Sequence, residues 1–535
     1  MLRSCPPRFA IMSARRIDWL VVLVVAAAAL LWLPPLRSSL WLDELDTYFT
    51  TKDGIRTAIE RTAYIHPQCS QLYNTLIAAW IRGVGSTEAL LRLPSTLAMM
   101  LAAYLVFRLG RMLFDRETGM LGVLVFVTSR DVAFAAADAR SYAFATAASV
   151  AATIALLRLL APLSLTGAAA TNDERERRRS TRRWALAYAT TAALTVYFHQ
   201  IFALLLFAHA VVALVVLARG DTRVGLAALV GVAALTAVLL GAELPNLLAT
   251  AAGRARIVHG TAPWPLQLAT LWGNPLFVVA VAPVAFALYV SGRRGSVSLP
   301  AAPGVAWLVL LTCMTVPPLV LYLVSRLTDV HVFLPRYYLS CQAAMAIVLG
   351  AVLRAFEPRP ARLCAAACVA AVALLMYARP HHTAEDWRTM TVAVNAAIDE
   401  QTLVAIDPGF IEGADPDWLG LSVDDERYSY LLAPLAYYPM AGRIRLLPFR
   451  LDDRTRRYVE SELLPSLSAE ERFVVISRGR GPRWWELWLD GRLRPSGFAA
   501  KRIYDSAYLG AAVYERRRET IHAPMPSPTT NATTK

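Results

Sequence analysis

Long apolar runs alternate with short polar segments over the first 380 residues of the chain. About eleven runs approach or reach roughly 18–22 residues, the length at which an α-helix crosses the hydrocarbon core of a bilayer. The runs cover residues 19–36, 90–113, 118–135, 141–161, 184–203, 204–218, 224–243, 265–290, 304–324, 336–353 and 361–378. The pattern predicts a mainly α-helical, polytopic membrane domain over residues 1–380.

The segment between the first two runs, 37–89, is long and of mixed polarity. Within it, residues 57–64 and 73–82 interleave apolar and polar positions in a composition typical of helices. Helices of this kind lie along a membrane surface rather than across it. We therefore expect a long first outer loop that carries two surface helices.

The pattern changes in residues 381–519. Short strand-like runs at 402–407, 443–449, 472–477 and 511–515 are separated by helical stretches at 455–467 and 482–489, which predicts a small α/β domain. Trp484, Trp485 and Trp488 form either a sugar-binding platform or, more simply, part of its core. Residues 520–535 are rich in Pro, Thr, Ser and Asn and are expected to form a disordered tail.

Charge fixes the expected orientation in the membrane. Lys and Arg number 54 against 40 Asp and Glu, the net charge is +14, and the mean hydropathy is +0.43. Arginines concentrate in alternate loops, most densely at 171–183, and basic loops stay on the cytoplasmic side. The N-terminus is therefore predicted to be cytoplasmic and residues 381–519 extracytoplasmic, in a multi-pass protein of the bacterial plasma membrane.

Two other interpretations of the composition fail. A basic chain can bind nucleic acid, but no recognition module is present in this sequence. The first apolar run resembles a signal peptide, but it ends at Leu33-Pro-Pro-Leu-Arg37 without a small-residue cleavage site. We expect it to be a retained first helix.

With this orientation, the candidate chemistry lies on the outer side. Asp43 and Glu44 follow directly on the first run. A carboxylate at an apolar boundary suits a general base, and paired carboxylates also suit a hard divalent ion. The alternative without a functional role is that the two acids are simply polar surface residues of the loop. Together with Asp138, these acids are the candidate ligands of a possible divalent metal ion. The sequence has no Gly-rich phosphate loop, so no nucleotide cofactor is expected.

Together, the acids and a group of basic and aromatic residues on the same side of the membrane are expected to line one cavity at the membrane interface. The acids would form one wall and the basic residues another. Arg140 and Tyr142 follow Asp138 in a short outer turn, and Arg336 and Tyr337 open the tenth run against the positive-inside trend. A guanidinium group offers two parallel donors to a phosphate. The tyrosines are also compatible with an ordinary interfacial aromatic belt.

Four further residues are weaker candidates for substrate binding. His199 lies at the outer end of the fifth run, where an ionisable group is a functional candidate. His66 lies on the first outer loop, and Arg254 and Arg256 lie on the fourth. Each is also compatible with a purely structural or surface role.

Six short motifs, taken in order and on one side of the membrane, carry a resemblance to a known family. They are Trp41-Leu-Asp43-Glu44, Leu91-Arg-Leu-Pro-Ser95, Ala139-Arg140-Ser-Tyr142, Tyr197-Phe-His199, Pro335-Arg336-Tyr337 and Glu385-Asp386-Trp387-Arg388. To about residue 408, the chain resembles the C-type, polyprenyl-phosphate-sugar-dependent glycosyltransferase superfamily. The resemblance is to the bacterial branch related to protein O-mannosyltransferases and aminoarabinose transferases.

The resemblance implies an integral-membrane glycosyltransferase with a polyprenyl-phosphate-sugar donor. It would transfer the sugar, with inversion, to a hydroxyl on a lipid, glycan or protein acceptor. Asp43 would be the base and Glu44 its support, Asp138 would orient acceptor or metal, and Arg140 and Arg336 would neutralise the lipid phosphate. The chain departs from the family by having Asp138 where Glu is usual, and Gln68 where the His-Pro-Pro run has its second proline.

Two other function classes remain alternatives. A transporter or flippase of a lipid-linked sugar would need the arginines but not Asp43, and broken helices or paired repeats would favour it. Neither is evident from the sequence. A non-catalytic envelope or assembly protein would use the soluble domain as its active part.

Overall fold

The computed structural model describes residues 19–67, 69–162, 174–222, 224–252, 262–290, 300, 302–422, 424–479 and 483–517. The chain forms two compact units, Met1–Thr383 and Ala384–Lys535. The predicted tail, 520–535, lies outside the described residues.

The first unit is helical. Its α-helices are α1 (Trp19–Trp32), α2 (Leu42–Thr51), α3 (Ile55–Ile65), α4 (Gln71–Val84), α5 (Glu88–Leu113), α6 (Arg116–Thr128), α7 (Arg130–Ala136), α8 (Tyr142–Leu160), α9 (Glu174–Phe198), α10 (Ala203–Ala218), α11 (Leu226–Leu240), α12 (Leu244–Ala252), α13 (Pro265–Gly273), α14 (Pro275–Val290), α15 (Gly304–Leu327), α16 (Gln342–Arg354) and α17 (Arg359–Tyr377). Short 3-10 helices cover Pro34–Arg37, Gln200–Phe202, Gly241–Glu243 and Pro335–Cys341.

The prediction of a polytopic membrane protein is confirmed. In the described part of the chain, 8 helices are long and apolar enough to span a bilayer, or up to 10 if each of two bent helix pairs is one span. One predicted run, residues 184–203, begins on a helix that is not counted among these candidate spans. That helix, α9, contains Thr190, Thr191 and Thr195 in its apolar half, which lowers its hydropathy.

Two of the spans are broken, which the sequence did not reveal. Helices α6 and α7 meet at an angle of 71° around Ser129, and α13 and α14 meet at 44°. Asn274 ends α13 in the left-handed region at φ +38°, and Pro275, which lacks a backbone N–H, starts the next helix. Broken helices are the feature that would favour a transporter, so these two breaks bear on that alternative.

The segment 37–89 contains the two predicted helices, as α3 and α4, and a third helix that was not predicted. This helix, α2, starts directly after Trp41 and carries Asp43 and Glu44 in its first turn. Glu44 accepts a hydrogen bond from the Trp41 N–H at 3.2 Å, which caps the helix. Acidic side chains are also favoured at this end by the helix dipole.

The second unit is the predicted α/β domain. Its elements are α18 (Trp387–Asn395), β1 (Leu403–Asp407), α19 (Pro416–Leu419), α20 (Glu426–Leu431), α21 (Ala433–Tyr437), β2 (Arg443–Leu446), α22 (Asp453–Tyr458), a π-helical turn (Val459–Leu463), α23 (Leu464–Ala469), β3 (Arg472–Arg478), α24 (Arg483–Leu493), β4 (Phe498–Asp505) and β5 (Leu509–Arg516), with 3-10 helices at Ile411–Ala414 and Arg494–Ser496.

The five strands form one sheet in the order β2-β1-β3-β5-β4. Strand β1 pairs in parallel with β2 and β3, and β5 runs antiparallel to β3 and β4. The four predicted strands are confirmed. Strand β4 was missed because its centre is Lys501-Arg502 and it lies at an edge of the sheet, where one face stays polar.

The core of this domain contains Phe473, Val475, Tyr514 and Leu489. Of the three tryptophans considered as a sugar platform, Trp485 is 2% exposed in this core and Trp488 packs against it. Trp484 is 47% exposed. Trp485 and Trp488 are therefore part of the core, as the simpler interpretation predicts, whereas Trp484 is not.

Asp407 ends β1 with its carboxyl buried, and burial raises its pKa to about 7 although the Gly409 N–H and Arg478 oppose the shift. The unfolded chain releases this proton near pH ~4. We therefore expect the stability of this domain to fall as pH rises from about 4 to about 7, and to level off above that range.

Hydrogen exchange of the β1 amides, corrected for intrinsic rates, measures this effect. Protection should decrease between pH 5 and pH 8 in the wild-type protein and stay level in Asp407→Asn. Asp453→Asn, a change on the exposed surface of the same domain, should behave as wild type. Equal pH dependence in all three proteins would contradict the assignment.

Candidate active site

Three chain segments of the first unit converge on the acid pair, which lies in the first turn of α2. They are the start of α5, the 137–141 connection between α7 and α8, and the 3-10 helix Pro335–Cys341. Asp43 and Glu44 point to different partners, so the two adjacent carboxylates have separate surroundings.

The carboxylate of Asp43 meets Arg336. Asp43 Oδ2 accepts a hydrogen bond from Arg336 Nη1 at 2.8 Å. The two side chains remain 27% and 34% exposed. The pair joins positions 293 residues apart in sequence. This ion pair joins Asp43, the predicted base, to Arg336, which was predicted to bind the donor phosphate.

Arg140 holds α2 from the other side. Its Nη1 donates to the backbone carbonyl of Asp43 at 2.9 Å and to Asp46 Oδ2 at 2.8 Å. It also lies 3.3 Å from Thr47 Oγ1, whereas Nη2 has a long contact of 3.9 Å with Cys69 Sγ. Asp46, which sequence reasoning did not select, is thus the counter-ion of Arg140.

Glu44 is fully buried and paired with Arg92. Arg92 Nε donates to Glu44 Oε1 at 2.7 Å, and Nη2 donates to Oε2. The Ala139 N–H donates to Oε1 at 2.9 Å and the Trp41 N–H to Oε2. Burial alone would raise the pKa of Glu44, but Arg92 holds it below its usual value.

Arg92 is also fully buried, and its guanidinium group organises the preceding loop. It donates to the carbonyl groups of Pro35, Leu36, Ser38 and Ser39 at 2.7–3.1 Å. Sequence reasoning missed this residue as a site component, although it stands in the Leu91-Arg-Leu-Pro-Ser95 motif. An ionisable residue inside an apolar run is the signal that could have identified it.

Asp138 is buried beneath the acid pair, beside His382. Its Oδ1 accepts from Trp41 Nε1 at 3.0 Å and lies 3.5 Å from His382 Nε2. Its Oδ2 and His382 Nε2 have no hydrogen-bond partner among the described residues. Burial raises the pKa of Asp138. The ring of His382, which sequence reasoning also missed, stacks on Phe134 with 4.1 Å between centroids.

The ligand atoms of Glu44, Asp138 and His382 lie within 4.8 Å of one another, so the cluster has the residue types of a metal site. Each Glu44 oxygen, however, already accepts two hydrogen bonds, which fills its acceptor capacity. The other two side chains are only 1–2% exposed. This leaves no room for the waters or substrate oxygens that would complete about four to six ligands.

The filled acceptor positions of Glu44 argue against a divalent ion at this cluster, and Asp43, the third predicted ligand, binds Arg336 instead. We regard Asp138 and His382 as a buried acid–imidazole pair that supports the loop. No step of the chemistry below passes through a metal ion.

The aromatic residues form the wall of a cavity of about 140 Å³. The ring of His199 lies 4.9 Å from that of Tyr142 and 5.5 Å from that of Tyr337, centroid to centroid. Arg140 and Tyr73 also line this cavity. Three residues predicted for substrate binding therefore share one cavity with Arg140.

A second cavity of about 310 Å³ lies at the two helix breaks. Its wall includes Ser129, Arg130 and Asp131 from the first break and Asn274 from the second, together with Tyr338. The neighbouring residues Tyr337 and Tyr338 thus line different cavities, and the short 3-10 helix that carries Arg336 separates them.

His66, another predicted residue, lines neither cavity. His66 ends α3, where its carbonyl accepts from the Cys69 N–H at 2.9 Å, and it is buried. Arg254 and Arg256 lie outside the described residues. Their predicted roles stay predictions.

Comparison with known proteins supports the fold. No protein-family profile and no curated protein sequence matches the chain. Among solved structures, ArnT from Cupriavidus metallidurans in the apo state matches with a TM-score of 0.54 and 11% identity, over 92% of this chain and 97% of that chain. ArnT bound to undecaprenyl phosphate matches with 0.53 and 10% identity, over 92% and 98%.

A variant of arabinofuranosyltransferase AftD from Mycobacteria matches with a TM-score of 0.50 and 13% identity, over 95% of this chain but 42% of that chain. At these identities, the likeness concerns the fold. The polytopic membrane fold with a C-terminal α/β domain is shared with these proteins, and the resemblance stated from sequence motifs is confirmed at that level.

The occupied acceptor positions of Glu44 predict that the purified protein holds no stoichiometric divalent metal. Dialysis against EDTA should leave its melting temperature unchanged, because removing a bound ion would otherwise lower the stability of the folded state. Elemental analysis before and after dialysis supplies the second measurement. One equivalent of metal that is retained by the wild type and lost in His382→Ala would contradict this expectation.

Proposed function

We propose that this chain is an integral-membrane glycosyltransferase that moves a sugar from a polyprenyl-phosphate donor to a hydroxyl acceptor. The reaction takes place on the extracytoplasmic side of the bacterial plasma membrane, with inversion at the anomeric carbon and Asp43 as the base. The observation that carries the proposal is the Asp43–Arg336 pair, whose side-chain atoms lie 2.8 Å apart. The Arg336 guanidinium lies 5.3 Å from the ring of Tyr337, which lines the smaller cavity.

The cavity lined by Arg140, His199, Tyr142 and Tyr337 suits the donor phosphate. Arg140 Nη2 has only the long sulfur contact, and Arg336 Nε has no hydrogen-bond partner among the described residues. Arg140 lines the cavity, so its Nη2 is a donor available to an anion there. The larger cavity at the two helix breaks, with its mixture of apolar and polar side chains, suits an amphiphilic or glycan acceptor.

In the proposed reaction, the acceptor oxygen attacks the anomeric carbon while its proton passes to Asp43. The bond between the anomeric carbon and the phosphate oxygen breaks, and its electron pair stays on the prenyl phosphate. The leaving phosphate gains one negative charge in this step. Stabilisation of that added charge by fixed cations lowers the barrier, whereas the charge already present in the donor does not contribute.

Arg336 has a double role in this scheme. Before donor binding it neutralises Asp43, and a carboxylate that is ion-paired is a weaker base. A donor phosphate competes for the same guanidinium group, so binding of the donor releases Asp43 for proton transfer. The base thus becomes active only in the presence of the leaving group that Arg336 must stabilise.

A flippase for a lipid-linked sugar is the second candidate, favoured by one specific observation. Two spans are broken, at 71° and 44°, and both breaks line the larger cavity. Discontinuous helices at substrate sites are typical of transporters. The two candidates differ in their need for Asp43, because transport makes no covalent bond.

Substitution of Asp43 by Asn keeps the shape of the side chain and removes the base. We expect transfer of radiolabelled sugar from polyprenyl-phosphate donors, measured in membranes, to fall by about a hundredfold or more. Glu60→Gln, an exposed change in the same outer segment, should retain the wild-type rate. An unchanged rate in Asp43→Asn would exclude the catalytic role, and donor translocation without transfer would establish the flippase.

Replacement of Arg336 tests the stabilisation of the leaving group. Arg336→Gln should lower kcat by about 10²–10³, the usual loss when one charge-stabilising donor is removed. Arg336→Lys should recover part of this loss because it keeps the charge. Arg326→Gln, an exposed arginine at the end of α15, is the matched control. A change in KM alone would place Arg336 in binding rather than in the transition state.

A further inference from the structure

The second unit contains a cavity that supplies no group to the proposed chemistry at Asp43. It has a volume of about 240 Å³ and is bordered by α20, β2, α22, the π-helical turn and α23. The side chains that give it chemical character are Tyr428, Arg445, Tyr458, Glu462 and Ser466. All of them belong to the same compact domain.

The two charged residues at this cavity have no ion-pair partner among the described residues. Arg445 has no hydrogen bond or salt bridge there, whereas its strand neighbour Arg443 binds Glu470 and the carbonyl of Gln401. Glu462 likewise has no such partner, whereas Glu460 on the same turn faces Arg492 at 3.9 Å. Both side chains are exposed, so a cationic donor and an anionic acceptor border the same cavity and are open to solvent and to a ligand.

The aromatic residues are fixed in place. Tyr458 donates its hydroxyl hydrogen to the carbonyl of Leu446 at 3.0 Å, which orients its ring on the strand that carries Arg445. Tyr428 also borders the cavity, but it is only 3% exposed and presents little of its ring. The partly exposed ring of Tyr458 supplies the apolar face, without further loss of conformational freedom.

The backbone beside the cavity is also specialised. Tyr458, Glu462 and Ser466 follow one another at four-residue steps, so they lie near one face of the helical segment. The segment between them, Val459–Leu463, is a π-helical turn. Such turns are rare and occur frequently at functional sites.

We propose that this cavity binds one ring of a neutral carbohydrate. Its volume lies below the ~300–1,000 Å³ of typical small-molecule sites, so a single sugar ring is a better match than a nucleotide or a lipid. Charges of both signs favour neither an anionic nor a cationic ligand. Sugar hydroxyls can donate to Glu462 and accept from Arg445 at the same time.

The ring of Tyr458 completes the recognition, because a sugar ring presents apolar C–H groups beside its hydroxyls. The site is independent of the chemistry at Asp43. It rests on the proposed function in one respect only: a carbohydrate ligand would make the acceptor a glycan or a glycoconjugate rather than a plain lipid or protein hydroxyl.

Saturation-transfer NMR on the full chain tests the proposal. The protein should be reconstituted in lipid nanodiscs, because sugar-headed detergents would compete for the site. The probes are methyl α-mannopyranoside, methyl β-glucopyranoside and methyl α-arabinofuranoside, with glucuronate and glucosamine as charged comparisons. At least one neutral glycoside should show transfer to its ring protons, and more strongly than either charged sugar.

The variants locate the site. Glu462→Gln and Arg445→Gln should each weaken binding of that glycoside by about tenfold, equivalent to ~1.4 kcal/mol, without a change in melting temperature. Glu460→Gln, the neighbouring carboxylate outside the cavity, should bind as wild type. Tyr428→Phe, which keeps the ring, serves as a second and milder variant that should retain binding within the same order of magnitude.

The carbohydrate site and the glycosyltransferase function can be contradicted independently of each other. Asp43→Asn should keep the saturation transfer while it loses sugar transfer to an acceptor. Equal binding in wild type, Glu462→Gln and Arg445→Gln would overturn the carbohydrate site, as would the absence of transfer from every neutral glycoside or a preference for a charged sugar. None of these results would alter the case for Asp43.

Discussion

The first unit depends on one buried ion pair, between Arg92 and Glu44. Both side chains are completely excluded from solvent, and Arg92 also satisfies four backbone carbonyl groups of the loop before α2. Loss of one partner of such a pair leaves an uncompensated buried charge, which typically costs about 3–5 kcal/mol. The pair therefore determines where α2 starts, and the start of α2 determines where the neighbouring Asp43 points.

The two acids of the motif illustrate how adjacent residues of one type acquire different properties. Glu44 is directed into the protein, where four donors fill its oxygens and keep it ionised. Asp43 pairs with Arg336 instead, and part of its side chain stays exposed. Glu44 is therefore committed to structure, whereas Asp43 remains accessible from solvent.

The sequence predicted the membrane spans, the surface helices and most of the soluble sheet, because hydrophobic periodicity depends on local composition. It did not predict the breaks at Ser129 and Asn274, since neither position differs in hydropathy from an ordinary span end. The residues Asp43, Arg140 and Arg336 were found through ordered motifs. Arg92 and His382 were missed because their importance comes from partners 48 and 244 residues away in sequence, at Glu44 and Asp138.

The position of two consecutive tyrosines has a consequence for the order of events. Tyr337 faces the smaller cavity and Tyr338 the larger one, and both sit on a helix of seven residues. Tyr338 has non-helical backbone angles, so this helix is kinked there. If a molecule in one cavity displaces this kinked segment, it also alters the wall of the other cavity, and the resulting linkage between the two affinities is reciprocal by thermodynamic necessity.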